Sequence, residues 1–397
     1  MDTTDKLRRG AAPAAPGESS ALRASATAPA APTPLSSPAT LVTPVQTPPQ
    51  PDDQFVGWDA GPDPITALCE YGVVGDWELR RNVAEFTLGG SSKCAIPIPG
   101  RGLSARHCYL ERRLQRLRLH DLNSTHGTFL RDRKLEGPAD LSPGDTFTPR
   151  PMTLVCMNDE MRQHRPILFE ILGAGATRSP DWVMVQAVTG SGPLLLTGEP
   201  GCGLGRLAHA IHAMSLRRNR PPIEVATVPQ DRAAQVDLVR QASKTSLVLP
   251  LGDGSTPLDP HFASQLFEAK LGVRLIALAS SPDIARRALT GARVELMQHV
   301  PVRPLACRRD EIDELLDRRF GERAFRFRMA DLTRANQEAL KTYHWPGNFD
   351  ELRLIADGII AHTTLGGLRP AAKPLGLSHQ TLQRRFVRVG LRFPLFG

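Results

Sequence analysis

One stretch constrains this chain more than any other: residues 194–214 read LLLTGEPGCGLGRLAHAIHAM. A short apolar run, a glycine-rich turn and an amphipathic run follow without a gap, the order of a buried strand leading into a helix. A strand followed at once by a helix belongs to a parallel sheet, because parallel neighbours need a crossover connection and the helix supplies it. Gly198, Gly201, Gly203 and Gly205 let the turn fold tightly enough for its amide N–H groups to converge on a phosphate. At the helix start, where such turns carry a lysine for the outer phosphoryl oxygens, this chain has Leu204. Arg206 is no obvious substitute, since two residues along a helix is about 200° of rotation. Two readings stay open: a degenerate nucleotide loop that holds ATP weakly through backbone alone, or a glycine turn kept because the connection needs it.

The alternation continues on either side. ILFEILGAG, PLLLTG, PIEVATV, SLVLPLG and VRLIALASS read as short β-rich segments separated by helical patterns, which extends the parallel sheet from about Pro166. A chain of 397 residues has room for about two or three domains. Residues 1–62 are rich in Ala, Pro, Ser and Thr with almost no bulky apolar side chain, so a disordered tail is expected there. The beginning has no basic segment leading into an apolar one, and no run of about 18 apolar residues occurs anywhere. The expectation is a cytoplasmic protein with no membrane partner. Cys69, Cys94, Cys108, Cys156, Cys202 and Cys307 lack CxxC spacing, which argues against a zinc knuckle or a disulfide framework; no metal site is expected. The net charge of +8 is unevenly spread: from Gly366 onward the chain has Arg369, Lys373, Arg384, Arg385, Arg388 and Arg392 and no carboxylate, a pattern suited to a polyanion.

Residues 65–158 have another texture. AIPI, CYLE, LRLHDL, GTFL and DTFT are short runs separated by Gly, Pro, Asn and Ser, which reads as an all-β sandwich. The stretches TLGGSSKCAIPIPGRGLSARHCYLE, LHDLNSTHGTFLRDRKL and LSPGDTFT resemble the forkhead-associated (FHA) domain, a sandwich that recognises phosphothreonine with loops at one end. The resemblance implies a phosphothreonine-containing partner within a Ser/Thr kinase pathway. Ser104 and Thr125 would supply phosphate-contacting hydroxyls, with His107 bracing their loop. Gly90 stands where the family has arginine and His126 where it has asparagine, so Arg101 or Arg106 would supply the cation and His126 a hydrogen bond. The alternative is a sandwich used only for docking, with Ser104 and Thr125 as ordinary turn residues.

From about residue 166, TGEPGCGLGRLAHAIHAMSLRRNRPPIEV, SLVLPLGDG, VRLIALASSPDIA, VPVRPLACRRDEI and YHWPGNFDELR follow in the order of the AAA+ central domain of sigma-54-dependent transcriptional activators, which this region resembles. Position by position, the family's ATPase residues are gone. Leu204 replaces the lysine, Pro250 and Leu251 replace the acidic pair, Ser280 the sensing asparagine and Asp350 the sensing arginine. Asp253 follows Gly252 in a register that turns it out of the site. Arg293 stays where the family offers arginine to a neighbouring subunit, and His299 stands at the second such position. The remodelling segment that grips the sigma factor is missing; only DRAAQVDLVRQASKT, about one helix, joins the flanking strands. Without positioned cations and a magnesium site, phosphoryl transfer is not expected, and no catalytic residue is assigned.

LRPAAKPLGLSHQTLQRRFVRVGL resembles the Fis-type helix-turn-helix that ends these activators. Ser378 is an N-cap, and Leu382, Phe386 and Val389 recur at helical spacing on one face. On the other face His379, Gln380, Gln383 and Arg384 would contact bases of double-stranded DNA, with Arg385 and Arg388 on phosphates. The alternative is the solvated basic face of a helix that reads nothing. Pro374 is expected to shorten the first helix of the motif, and one such unit would need a homo-oligomer to bind firmly.

The expected architecture is multidomain: the tail at 1–62, an all-β FHA-like sandwich at 63–160, and a degenerate α/β AAA+ domain with a P-loop-type parallel sheet at 166–305. A helical lid at 306–365 and a helix-turn-helix at 366–397 complete it. The expected function is a bacterial, ATPase-inactive transcription regulator controlled through phosphothreonine, with sigma-54 RNA polymerase among the partners the resemblance implies. No cofactor is expected beyond weak ATP binding. An active ATP-dependent activator and a phosphopeptide scaffold without DNA activity are the rival classes.

Overall fold

The computed structural model describes residues 64–114, 116–173, 175–254 and 257–396. The expected tail at 1–62 lies outside the described residues.

Among the described residues, the first part is a two-sheet sandwich. One sheet runs Trp77–Glu78, Ala67–Glu70, Leu154–Met157, Thr146–Pro149, Thr128–Leu130, Arg133–Lys134 in spatial order; the other runs Ile96–Pro97, Glu85–Gly89, Cys108–Arg113, Arg116–Asp121, Ala139–Leu141. Leu68, Leu88, Leu110, Leu119, Phe147 and Leu154 fill the space between them. Successive strand residues point to opposite faces. That rule explains why Ala67–Glu70 and Leu154–Met157 are apolar nearly throughout. Leu68, Leu154 and Cys156 face the sandwich core, whereas Ala67, Cys69, Val155 and Met157 join the cluster of Met161, Leu168 and Met184 on the next two helices. The sandwich and the α/β part are thus packed through a shared sheet.

The helix Asp159–Leu172 corrects one expectation: ILFEILGAG is read from sequence as a β-rich segment, but residues 167–172 are the end of this helix. Met161, Arg165, Leu168, Ile171 and Leu172 are buried, spaced mainly three and four apart over about three turns, a period masked when only the apolar hexamer is read. Asn158 caps the helix, its side chain accepting from the Met161 amide. PIEVATV likewise yields only the short strand Ile223–Glu224.

The parallel sheet has the order Ile223–Glu224, Ser246–Pro250, Arg274–Ala279, Leu194–Thr197, Gln298–Pro301, every neighbouring pair parallel. The helix Leu204–Met214 follows the glycine turn, burying Leu207, Ala208 and Ile211. DRAAQVDLVRQASKT holds the helix Arg232–Gln241, capped by Asp231.

The helices Ile312–Glu322, Arg334–Thr342, Asn348–Leu365, Leu368–Ala372 and His379–Val389 close around one core that includes Phe320, Leu340, Trp345, Phe349, Leu382 and Phe386. The segments divided at residue 365 in the sequence are therefore one packed body. Gly358 marks the closest approach: a Cβ there would lie 2.9 Å from the Phe386 ring. Asn336 secures the chain end, donating to the carbonyls of Arg392 and Leu395 and accepting from the Arg392 amide. Leu368–Ala372 is one turn and a half long and stops before Pro374. No described helix is long and apolar enough to cross a membrane.

Candidate phosphate-binding loops

Two loop systems carry the candidate residues. In the sandwich, the loop bearing Ser104 is stitched to the glycine pair: Gly90 donates to the Ser104 carbonyl at 3.0 Å and Ser91 to the Ala105 carbonyl at 3.1 Å. Gly89 is required there, because a Cβ would overlap the Ala105 carbonyl oxygen. The second loop runs from Leu122 to Gly127. Its anchor is Asp121, whose carboxylate accepts from the Ser124 amide at 3.0 Å, the Ser124 hydroxyl at 2.7 Å and the Thr128 hydroxyl at 2.6 Å. Burial works to raise the Asp121 pKa, but the hydrogen bonds from Ser124 and Thr128 outweigh it and hold the carboxyl below its ordinary value.

The two loops meet at the predicted hydroxyls. Ser104 Oγ accepts from the Thr125 amide at 3.0 Å and lies 3.2 Å from Thr125 Oγ1. His107 sits behind them, fully buried, with Nε2 3.4 Å from the Gly127 carbonyl. Burial lowers its pKa, so the ring is neutral and Nε2–H is the donor to that carbonyl. His126 and Thr125 are exposed at the loop tip. Of the two arginines offered for the missing cation, Arg101 is already paired with Glu70 at 3.3 Å, whereas Arg106 is exposed and makes no ion pair among the described residues. Lys134 is a cation the sequence does not reveal: its side chain lies against Gly127, brought there by pairing of Arg133–Lys134 with Phe129–Leu130.

At the glycine turn, Gly198, Gly201, Gly203, Leu204 and Gly205 line a cavity of about 490 Å³, with Pro250, Ser280 and Asp350 opposite. Leu204 is partly buried, packing against the apolar cluster under the turn while lining the cavity, so an apolar side chain stands where a cation would. Arg206 is on the rim, but its guanidinium is held by Glu170 at 2.9 and 3.2 Å, together with Arg353 at 2.7 Å. Asp350 adds a carboxylate to the cavity wall. The turn is also occupied from outside by the lead-in to Asn348–Leu365. Asn348 donates to the Pro200 carbonyl at 3.1 Å and to Glu199 at 3.3 Å, and a Cβ on Gly201, at φ +80°, would overlap the Gly347 carbonyl. Burial, with the Glu199 carboxylate adding to it, pushes the Cys202 thiol up to about 11.

His299 is partly buried on the edge strand, its Nε2 2.7 Å from the Thr197 hydroxyl, and burial lowers its pKa. Register explains the contact, since His299 lies beside Leu195 on the paired strand, two residues from Thr197 on the same face. Arg293 donates to the Pro260 carbonyl. Asp253 lines a separate cavity of about 180 Å³ with Gln235 and Asp259.

In the C-terminal helix Ser378 Oγ accepts from the Thr381 amide at 3.1 Å, and Leu382, Phe386 and Val389 are buried. The basic face divides in two. Gln380 and Gln383 are exposed to solvent and His379 is half-buried. Arg384 and Arg388, also exposed, and Arg385 line a groove of about 690 Å³, whose other wall is Pro200 and Gly201 of the glycine turn and Asp350 and Glu351 of the long helix. No spacing in the sequence signals this meeting of residues nearly two hundred positions apart.

Residues 86–148 match the family profile described as the FHA domain, so the sandwich is an FHA domain. No curated protein is matched. Similar solved structures include NtrX from Brucella abortus in complex with ATP, 17% identical over 59% of this chain and 68% of that one, with a TM-score of 0.36. An FHA domain from a study of phosphothreonine-dependent interactions is 24% identical over 23% of this chain and 93% of its own, at a TM-score of 0.21. EmbR of Mycobacterium tuberculosis in complex with a low-affinity phosphopeptide is 15% identical over 23% of this chain and 24% of its own, at 0.22.

Proposed function

We propose that this protein is a phosphothreonine-responsive regulator in which an FHA domain reads a phosphorylated partner and an α/β, AAA+-like body transmits the event without hydrolysing ATP. The observation carrying the reading is the meeting of Ser104 and Thr125 at an exposed loop end, with the Thr125 amide 3.0 Å from Ser104 Oγ and His107 buried behind. Two hydroxyls and the flanking Arg106 and Lys134 are a donor set for a tetrahedral dianion. The body's lack of turnover is supported by the apolar Leu204 at the helix start, Arg206 held by Glu170, and Asp350 in the cavity.

The output proposed is double-stranded DNA, its bases read by His379, Gln380, Gln383 and Arg384 with Arg385 and Arg388 toward the backbone, in a homo-oligomer. Sigma-54 polymerase is the partner implied by the same reading. A scaffold without DNA activity is the second reading, favoured by one observation: those three arginines line a groove against the body. Titration of threonine-phosphorylated and unphosphorylated peptides tests the first part; loss of discrimination on Ser104→Ala is the expected result, and equal binding of both peptides would refute it. Duplex titration at two salt concentrations, with Gln380→Ala/Gln383→Ala beside the wild type, separates the two outputs. Magnesium-dependent phosphate release from clean protein would refute the inactive body.

A further inference from the structure

We propose that the groove between the glycine turn and the C-terminal helix is a binding site for a free polyphosphate group, such as the phosphate chain of a nucleotide, and that its occupant competes with duplex DNA. The inference rests on the DNA reading above only in its second half. The cavity at the glycine turn has converging backbone and no available cation, since Leu204 is apolar and Arg206 is committed to Glu170. The neighbouring groove has three guanidiniums, and the two share Pro200, Gly201 and Asp350 as a common wall. A chain of linked phosphates is the chemistry that spans such a pair: one end meets the turn's amides and the other meets Arg384, Arg385 and Arg388. Guanidinium forks bind phosphate oxygens in pairs, and arginine keeps its charge at every physiological pH.

The groove's two carboxylates are not equivalent. Glu351 is already satisfied, accepting from the Tyr343 hydroxyl at 2.9 Å and from the Gly347 amide at 2.9 Å, and is mostly buried. Asp350 is exposed on the common wall and opposes an anion from both sides. Its removal should therefore strengthen binding. Competition with DNA follows from sharing, because Arg384, Arg385 and Arg388 line the groove and cannot hold a polyphosphate there and the phosphates of a duplex at the same time. Arg384 and Arg388 are exposed, so either anion can reach them and whichever binds first occupies the guanidiniums.

The test uses the full chain and calorimetric titration with inorganic tripolyphosphate, ATP and adenosine without magnesium. Tripolyphosphate and ATP should bind at one site per chain, adenosine should not, Arg384→Gln/Arg388→Gln should weaken both by at least about tenfold, and Asp350→Asn should tighten both. Unchanged binding by the double variant, with its melting temperature also unchanged, overturns the site, as does absence of any tripolyphosphate binding by wild type. A fluorescent duplex then separates the two halves of the inference. Tripolyphosphate that releases the duplex supports competition, and a duplex that stays bound beside it overturns competition alone. A protein that binds tripolyphosphate through these arginines and no duplex keeps the site and refutes the DNA reading.

Discussion

Arg165 and Asp181 form a buried, two-pronged ion pair, with Nε–Oδ1 at 2.7 Å and Nη2–Oδ2 at 3.1 Å, neither side chain more than 7% exposed. Arg165 also donates to the carbonyls of Glu70, Val73 and Gly75, and Asp181 accepts from the Gly72 amide at 2.7 Å. Both charged residues belong to helices of the α/β part, while the backbone they grip belongs to a loop of the FHA domain. The pair therefore holds a rigid seat for the sandwich, alongside the shared apolar face of Ala67–Glu70.

Removing one member leaves the other charged and buried. Asp181→Ala is expected to cost about 3–5 kcal/mol, read by chemical denaturation. Exchange of the amides of Gly72 and Val73 with solvent deuterium should quicken more than at Leu117 in the far sheet. A cost below about 1 kcal/mol, or uniform quickening, would show that the pair does not hold this junction.

The glycines of the turn are expected to differ from one another. Gly201→Ala combines a left-handed backbone with overlap of the Gly347 carbonyl, whereas at Gly205 a Cβ meets open space on a helix. The first should destabilise by more than about 2 kcal/mol and the second should stabilise by about 0.5–1 kcal/mol. Melting curves of the two variants decide it; equal effects would mean that the Pro346–Asn348 segment does not pack on the turn.

His107, His212, His299 and His362 all have pKa values lowered by burial from an ordinary 6.5. Below 6.5 the unfolded chain takes up protons that the folded one resists. Stability should thus be level above about pH 7.5 and fall as pH drops through 6.5, by up to about 1.4 kcal/mol per pH unit for each histidine inside its window. His107→Gln should flatten part of that slope. A melting temperature that rises from pH 7 to pH 5 would contradict the assignment.

All six cysteines are free, and only Cys307 is exposed. Burial pushes the thiols of Cys69 and Cys108 up to about 12. Native protein is expected to release one equivalent of chromophore from a disulfide reagent at once and the remainder on denaturation, with Cys307→Ser abolishing the fast phase. Rapid labelling of several thiols would show that the cores open readily.

Much was legible in order along the chain. Short apolar runs punctuated by Gly, Pro, Asn and Ser marked the sandwich, because strands of a few residues need turn-forming residues between them. The run at 194–214 marked a strand, turn and helix of a parallel sheet through its glycines and its helical period. Ser378 announced the last helix, and the Ser104 and Thr125 loops could be named from residue types alone. Local spacing was less able to identify the helix at Asp159, since its inward face is completed by Arg165, a charge that only a partner elsewhere makes tolerable inside.

The sequence by itself determined these local elements, since backbone geometry and burial period act over a few residues at a time. Only the tertiary structure decided what the elements face. Packing around Phe349 and Phe386 turned Arg384 and Arg388 toward the glycine turn, and strand pairing brought Lys134 beside Gly127. Contacts between distant residues are set by how whole surfaces fit, and no short stretch of chain encodes that.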